Sequence, residues 1–144
     1  METEIQDREG LGRFGREHHV HYDVEPEVVI EGEHREVVGF DVRLFATYGE
    51  SKLATPACPR CVELSNELRS FAEHLVSPGD AASWTEIVPA EPVLYQSAEE
   101  PDADEVALTL RVRCDSSDER RGTGEDRRLV EMKERLDAVG VPRR

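Results

Sequence analysis

Cys58-Pro59-Arg60-Cys61 is the one segment whose residue types and spacing could do chemistry directly. Two sulfurs three positions apart at a helix start are turned the same way, so they can grip one tetrahedral metal such as zinc. That ion needs two more ligands. Cys114 is the natural third, because strand alternation places it on a core face, and His74, His34 or a member of His18-His19-His21 could be the fourth. The same thiols could instead form a redox pair, since a helix N-terminus stabilises a thiolate through its dipole and free N–H groups. The plain alternative is two ordinary cysteines packed at a helix start.

A second constellation lies on strands. Arg43 and Phe45 fall at outward positions of one strand and Arg111 and Arg113 at the matching positions of another. Three arginines and an aromatic on an open face could bind an anionic ligand or stack on a base. They could equally pair across strands with Asp41 and with Glu31 or Glu33, or form the contact of a homodimer. Of the histidines, His19 and His21 would share a face if their segment is extended, as paired imidazole ligands do; solvated histidines are the plainer reading. No phosphate loop, nucleophile elbow or Ser/His/Asp set is present, and the carboxylates fall in like-charged runs such as Glu99-Glu100, which suit no acid/base pair.

Four strands and two helices must position these groups. Residues 20–31 carry Val20, Tyr22, Val24 and Val28-Val29-Ile30 around Pro26, as in an edge strand. Val38, Phe40, Val42 and Leu44 alternate with Asp41 and Arg43, and Gly32 marks the hairpin between the two strands. Leu64, Leu68, Phe71 and Leu75 then recur at helical spacing, with Thr55-Pro56 as a start and Ser77-Pro78-Gly79-Asp80 as a stop. Ile87, Val88 and Val93-Leu94-Tyr95 give a third strand broken by Pro89 and Pro92. Val106 to Cys114 alternate as a fourth. Thr123-Gly124-Glu125-Asp126 opens a last helix carrying Leu129, Met132, Leu136 and Val139, and Gly140 with Pro142 stops it.

One offset, 68, relates the halves: Val38 to Val106, Phe40 to Leu108, Val42 to Leu110, Thr55 to Thr123, Leu64 to Met132 and Leu68 to Leu136. The expectation is an α+β chain of order ββαββα, an internal duplication with halves of about 18–79 and 80–144. Neither half buries its apolar face alone, so the economical product is one domain over 18–144, a four-stranded antiparallel sheet with both helices on one face. Residues 1–17, with Gly10, Gly12 and Gly15 among charges and only Leu11 and Phe14 as anchors, read as a mobile arm.

Strand, CPRC and helix over residues 38–75 resemble the active-site segment of the thioredoxin-like and glutaredoxin-like families. The resemblance implies Cys58 as nucleophile and Cys61 as resolving thiol. It departs from those families in the long connection before Cys58 and in residues 20–31, which read as β where a βα unit belongs.

Composition sets the outer limits. Thirty-two acidic against 18 basic residues leave a net charge of −14, which repels nucleic-acid backbones and anionic membranes. Lys52 and Lys133 are the only lysines, a pattern suited to a halophilic origin and a reason not to read acidity as function. No stretch reaches the roughly 18 apolar residues of a membrane helix, and the N-terminus lacks signal-peptide character, so a cytoplasmic location is expected. In that reducing setting three cysteines do not imply a disulfide framework. The expectation is a non-enzymatic binding or accessory domain that holds zinc through CPRC, with a partner or second copy on the open sheet face. A thiol-disulfide enzyme and an anion-binding face are the alternatives.

Overall fold

A computed structural model describes residues 8–47, 59–94 and 103–144, with side chains over 10–47, 62–93 and 105–144. The chain runs α1 (Arg8–Glu17), β1 (His21–Glu31), β2 (His34–Thr47), α2 (Pro59–Val76), α3 (Ala81–Trp84), β3 (Thr85–Leu94), β4 (Ala103–Arg113) and α4 (Arg127–Ala138). The strands form one antiparallel sheet of order β1-β2-β4-β3, an α+β architecture.

Alternation builds the core. Phe40, Val42, Leu44 and Ala46 on β2 and Val106, Leu108, Leu110 and Val112 on β4 are buried on one face. Against them lie Leu64, Leu68, Phe71 and Leu75 of α2 and Leu129, Met132 and Leu136 of α4. Asp126 caps α4 by accepting the Arg128 N–H. At its other end Gly140 takes a φ of +77°, its N–H donates to the Asp137 carbonyl, and Val141 N–H donates to the Leu136 carbonyl. That is the paired bonding of a Schellman stop, with glycine where a left-handed residue is required.

Three expectations are corrected. Residues 8–17 are a helix rather than part of an arm: Leu11 and Phe14, three apart on one face, are buried, and Phe14 packs 5.5 Å from the Phe71 ring. Three glycines weaken a helix by roughly 1 kcal/mol each, and burial of the two anchors outweighs that here. The short helix α3 precedes β3 and buries Ala81 and Trp84, which periodicity over so few residues does not reveal. Val38 is exposed rather than in the core row. The β1–β2 register slips between Glu27 (opposite Gly39) and Val28 (opposite Val37), leaving Val38 without a partner on β1, so Val37 packs on the core instead.

The connection from β4 to α4 is tied by carboxylates. Asp118 accepts the N–H groups of Arg120 and Arg127, and Asp115 accepts from the Ser117 N–H and hydroxyl. These bonds favour the charged form and hold both carboxyls below their ordinary value of 3.8. A depressed carboxyl contributes stability above its unfolded value and loses it as pH falls through the folded one. Asp118→Asn should therefore lower the melting temperature at pH 7, and the difference from wild type should close as melts are taken below pH 3.8.

Candidate functional site

Opposite the core, the pleat turns Asp41, Arg43 and Phe45 of β2 and Ala107, Thr109, Arg111 and Arg113 of β4 to the outer face. Asp41 stands opposite Arg111, Arg43 opposite Thr109, and Phe45 opposite Ala107. The Arg111 guanidinium lies 3.5 Å from the Asp41 carboxylate and 3.3 Å from that of Glu86. Asp41 is thus the partner the sequence suggests. Glu31 and Glu33 are not, since β3 rather than β1 flanks β4, and they sit at the far tip of the β1–β2 hairpin.

Phe45 is no open stacking platform. It is 2% exposed, covered by the His21 ring at 5.2 Å and 14° and by the guanidinium groups of Arg43 and Arg144 at 5.1 and 4.8 Å. Register places His21 beside it, and the C-terminal residues add Arg144 through the bond from Arg144 N–H to the Tyr22 carbonyl. The four candidate ligand residues therefore divide. Arg111 and Arg113 line a cleft of about 690 Å³ with Ser83, Thr85, Glu86 and Val38, and Arg113 donates to the Ser83 carbonyl. Arg43 lines a separate hollow of about 190 Å³ against Pro89 and Pro92.

Cys58 lies outside the described residues, and of Cys61 only the backbone, in the first turn of α2, is described. That backbone already excludes part of the expected metal set. His74 follows Cys61 by thirteen residues on the same helix, about 20 Å along its axis. The His74 ring bonds to the Ser70 carbonyl at 2.8 Å. Cys114 follows β4 and its N–H bonds to Val38, near one end of β2. α2 reaches the other end, where His18 links the Thr47 carbonyl to Glu67, and Cys61 lies still nearer the helix start. His74 and Cys114 therefore cannot join Cys61 on one ion. Among the described residues, no three His, Cys, Asp or Glu gather as a metal site.

Cys114 is half-buried against the core, and desolvation raises its thiol pKa above the ordinary 9.0. In a Cys58→Ser, Cys61→Ser variant, the remaining thiol should react with a disulfide reagent at pH 8 more slowly than in unfolded chain. Reaction at the unfolded rate would show an accessible, ordinary thiol.

The other histidines also separate. His18 sits between α2 and the end of β2, whereas His19 is exposed with a φ of +49° and His21 stacks on Phe45. His34 stands at the hairpin tip opposite Glu31. The common face that His19 and His21 would have on a strand does not form, because the strand begins only at His21.

Two arginines escape sequence reasoning. Arg135 of α4 donates to the carbonyls of Leu75 and Pro78, closing the end of α2. Arg128 lies 5.7 Å over Trp84 and donates to the carbonyls of Arg113 and Cys114. Both contacts join residues distant in sequence, so no local spacing announces them. Arg135, His74, Leu11, Leu75 and Val139 also border a groove of about 590 Å³ among α1, α2 and α4. No family model matches the chain, and no curated protein or solved structure proved similar to it. No helix among the described residues is long and apolar enough to cross a membrane.

Proposed function

We propose that this chain is a non-enzymatic binding or accessory domain. The observation that carries the reading is the unequal use of the sheet: the buried core lies on one face, while on the other, with Arg43, Thr109, Arg111 and Arg113, the cover given by the described residues lies over Phe45. Arg111 and Arg113 are already held by Asp41, Glu86 and Ser83, an arrangement suited to a preformed surface rather than to proton transfer. The rival reading makes Cys58 and Cys61 a thiol-disulfide pair. A disulfide-reductase assay separates them: wild type and the Cys58→Ser, Cys61→Ser variant should both stay at background, and turnover abolished by the substitutions would overturn the proposal. A zinc ion held by the two thiols remains part of this reading, with its other ligands drawn from residues near the start of α2. One zinc per chain by mass spectrometry, lost in the same variant, would support it.

The duplication is part of the same proposal. Val42 pairs across the sheet with Leu110, its own counterpart at the offset of 68. Two hairpins related by a two-fold axis between β2 and β4 would have this pairing and the order β1-β2-β4-β3. The first strands follow a different offset, 63: Tyr22 faces Leu44 as Thr85 faces Val112. The helices α1 and α3 are additions to the repeated unit.

A further inference from the structure

The β1–β2 hairpin outruns the sheet. Among the described residues, β4 pairs with β2 from Gly39 to Thr47 and Val37 still packs on the core, so residues 28–36 form a two-stranded ribbon beyond the sheet. Such ribbons gain little stability alone in water. This one nevertheless exposes Val28 (41%), Val29 (43%) and Ile30 (59%), together with Val38.

Among the described residues, the edge of β1 is guarded along one stretch and left open along the rest. Tyr22 directs its N–H and carbonyl away from β2, to Pro142 and from Arg144, so the C-terminal residues occupy the edge there. Alternation aims the backbone groups of Val24, Val28 and Ile30 the same way. Pro26, on that same side, has no N–H to offer. Beyond it Val28 and Ile30 combine outward backbone groups with exposed aliphatic side chains, the two things an added strand uses.

The rim selects the partner's charge. Exposed Glu31, Glu33 and Glu36 lie at the tip, with half-buried Glu27 and exposed Glu25 farther down β1, against Arg35 and His34. A second copy fits poorly: antiparallel self-pairing about Val29 sets Glu27 against Glu31 twice, between chains of charge −14. We propose that the free edge at Val28–Ile30 receives an extended segment of another protein, in which aliphatic side chains alternate with lysine or arginine. This rests on reading the chain as a binding domain, and it places the partner on the ribbon rather than the arginine face.

The test uses the full chain and a short synthetic peptide alternating lysine and valine, titrated at about 0.15 M salt, where long-range attraction is screened. Binding should weaken at least about tenfold in Val28→Ser, Ile30→Ser, and by as much when alternate peptide nitrogens are methylated, which removes strand pairing but keeps charge. The Val28 and Ile30 amides should gain exchange protection in the wild-type complex. Equal binding of the methylated peptide would overturn the proposal in favour of simple charge attraction. Loss of binding in Arg43→Gln, Arg111→Gln with the ribbon variant unaffected would move the partner to the arginine face, sparing the binding-domain reading. No peptide binding at all would also overturn the proposal. So would wild-type self-association that the ribbon substitutions abolish, which would make a second copy the occupant.

Discussion

Phe71→Ala is expected to cost about 3–5 kcal/mol, a large share of the stability of a chain this size. Phe71 is 0% exposed and heads the fully buried side chains by volume. Its ring lies 5.5 Å from that of Phe14, which makes it the point where α1 joins the core. The substitution removes transfer free energy, leaves a cavity that sheet and helices can only partly close, and takes away the surface on which α1 rests. Urea unfolding should show a lower midpoint with little change in slope, and amide exchange in α1 should quicken more than in β4. Phe71→Leu, which keeps most of the volume, should lose under about 1.5 kcal/mol. Equal losses for the two would mean that the cavity is not what matters.

Gly39→Ala is the second large expectation, about 1–3 kcal/mol from a single added methyl group. A Cβ at this position would stand 2.6 Å from the carbonyl oxygen of Val112 and 3.5 Å from the Arg113 Cα. Both are backbone of the neighbouring strand, so no side chain can swing aside. Gly39 pairs with Arg113 at the last rung between β2 and β4 and adjoins the bulged Val38, so the strain falls where the ribbon leaves the sheet. Gly124→Ala is the control, since its Cβ would meet nothing within 4 Å. It should change stability by no more than about 0.5 kcal/mol. Thermal unfolding of the two variants beside wild type decides the point, and an unperturbed Gly39→Ala would mean that β2 and β4 are not held in this register.

Several consequences bear on function together. The outer sheet face is carried by rigid central strands, and its arginines are held by Asp41, Glu86 and Ser83. The ribbon is the opposite case, two strands paired with each other beyond the sheet and apolar at an acidic rim. At the far end of the sheet, burial raises the Glu67 carboxyl above its ordinary range while the nearby His18 pulls the other way. That pair joins α2 to the end of β2, which is structural work and accounts for a histidine that in sequence belongs to a tempting cluster.

The sequence was most legible where one period ran long enough to be unmistakable. Phe40, Val42 and Leu44 alternate, as do Val106 to Val112, and Leu64, Leu68 and Phe71 keep helical spacing; all lie in the core. Asp126 and Gly140 bound α4 through local chemistry readable within a few residues. Legibility failed where the signal was short or non-local. α1 has only two anchors, and both needed Phe71 and its neighbours to become anchors at all. Val38 was misplaced because a one-residue slip against β1 inverts the facing of every residue past it, and no property of β2 alone records that slip.

Period, charge and capping residues thus determined by themselves that the chain is α+β, which residues make its core, and where α4 starts and stops, because each depends on neighbours within a turn or a strand. Helix geometry alone sets His74 away from Cys61. Tertiary structure decided that Cys114 stands away from Cys61, that Phe45 is sealed beneath His21 and Arg144, that Arg135 closes α2, and that Val28 to Ile30 outrun the sheet. Those outcomes depend on which strand lies beside which and in what register. Many side chains distributed over the whole chain set that jointly, and no single spacing encodes it.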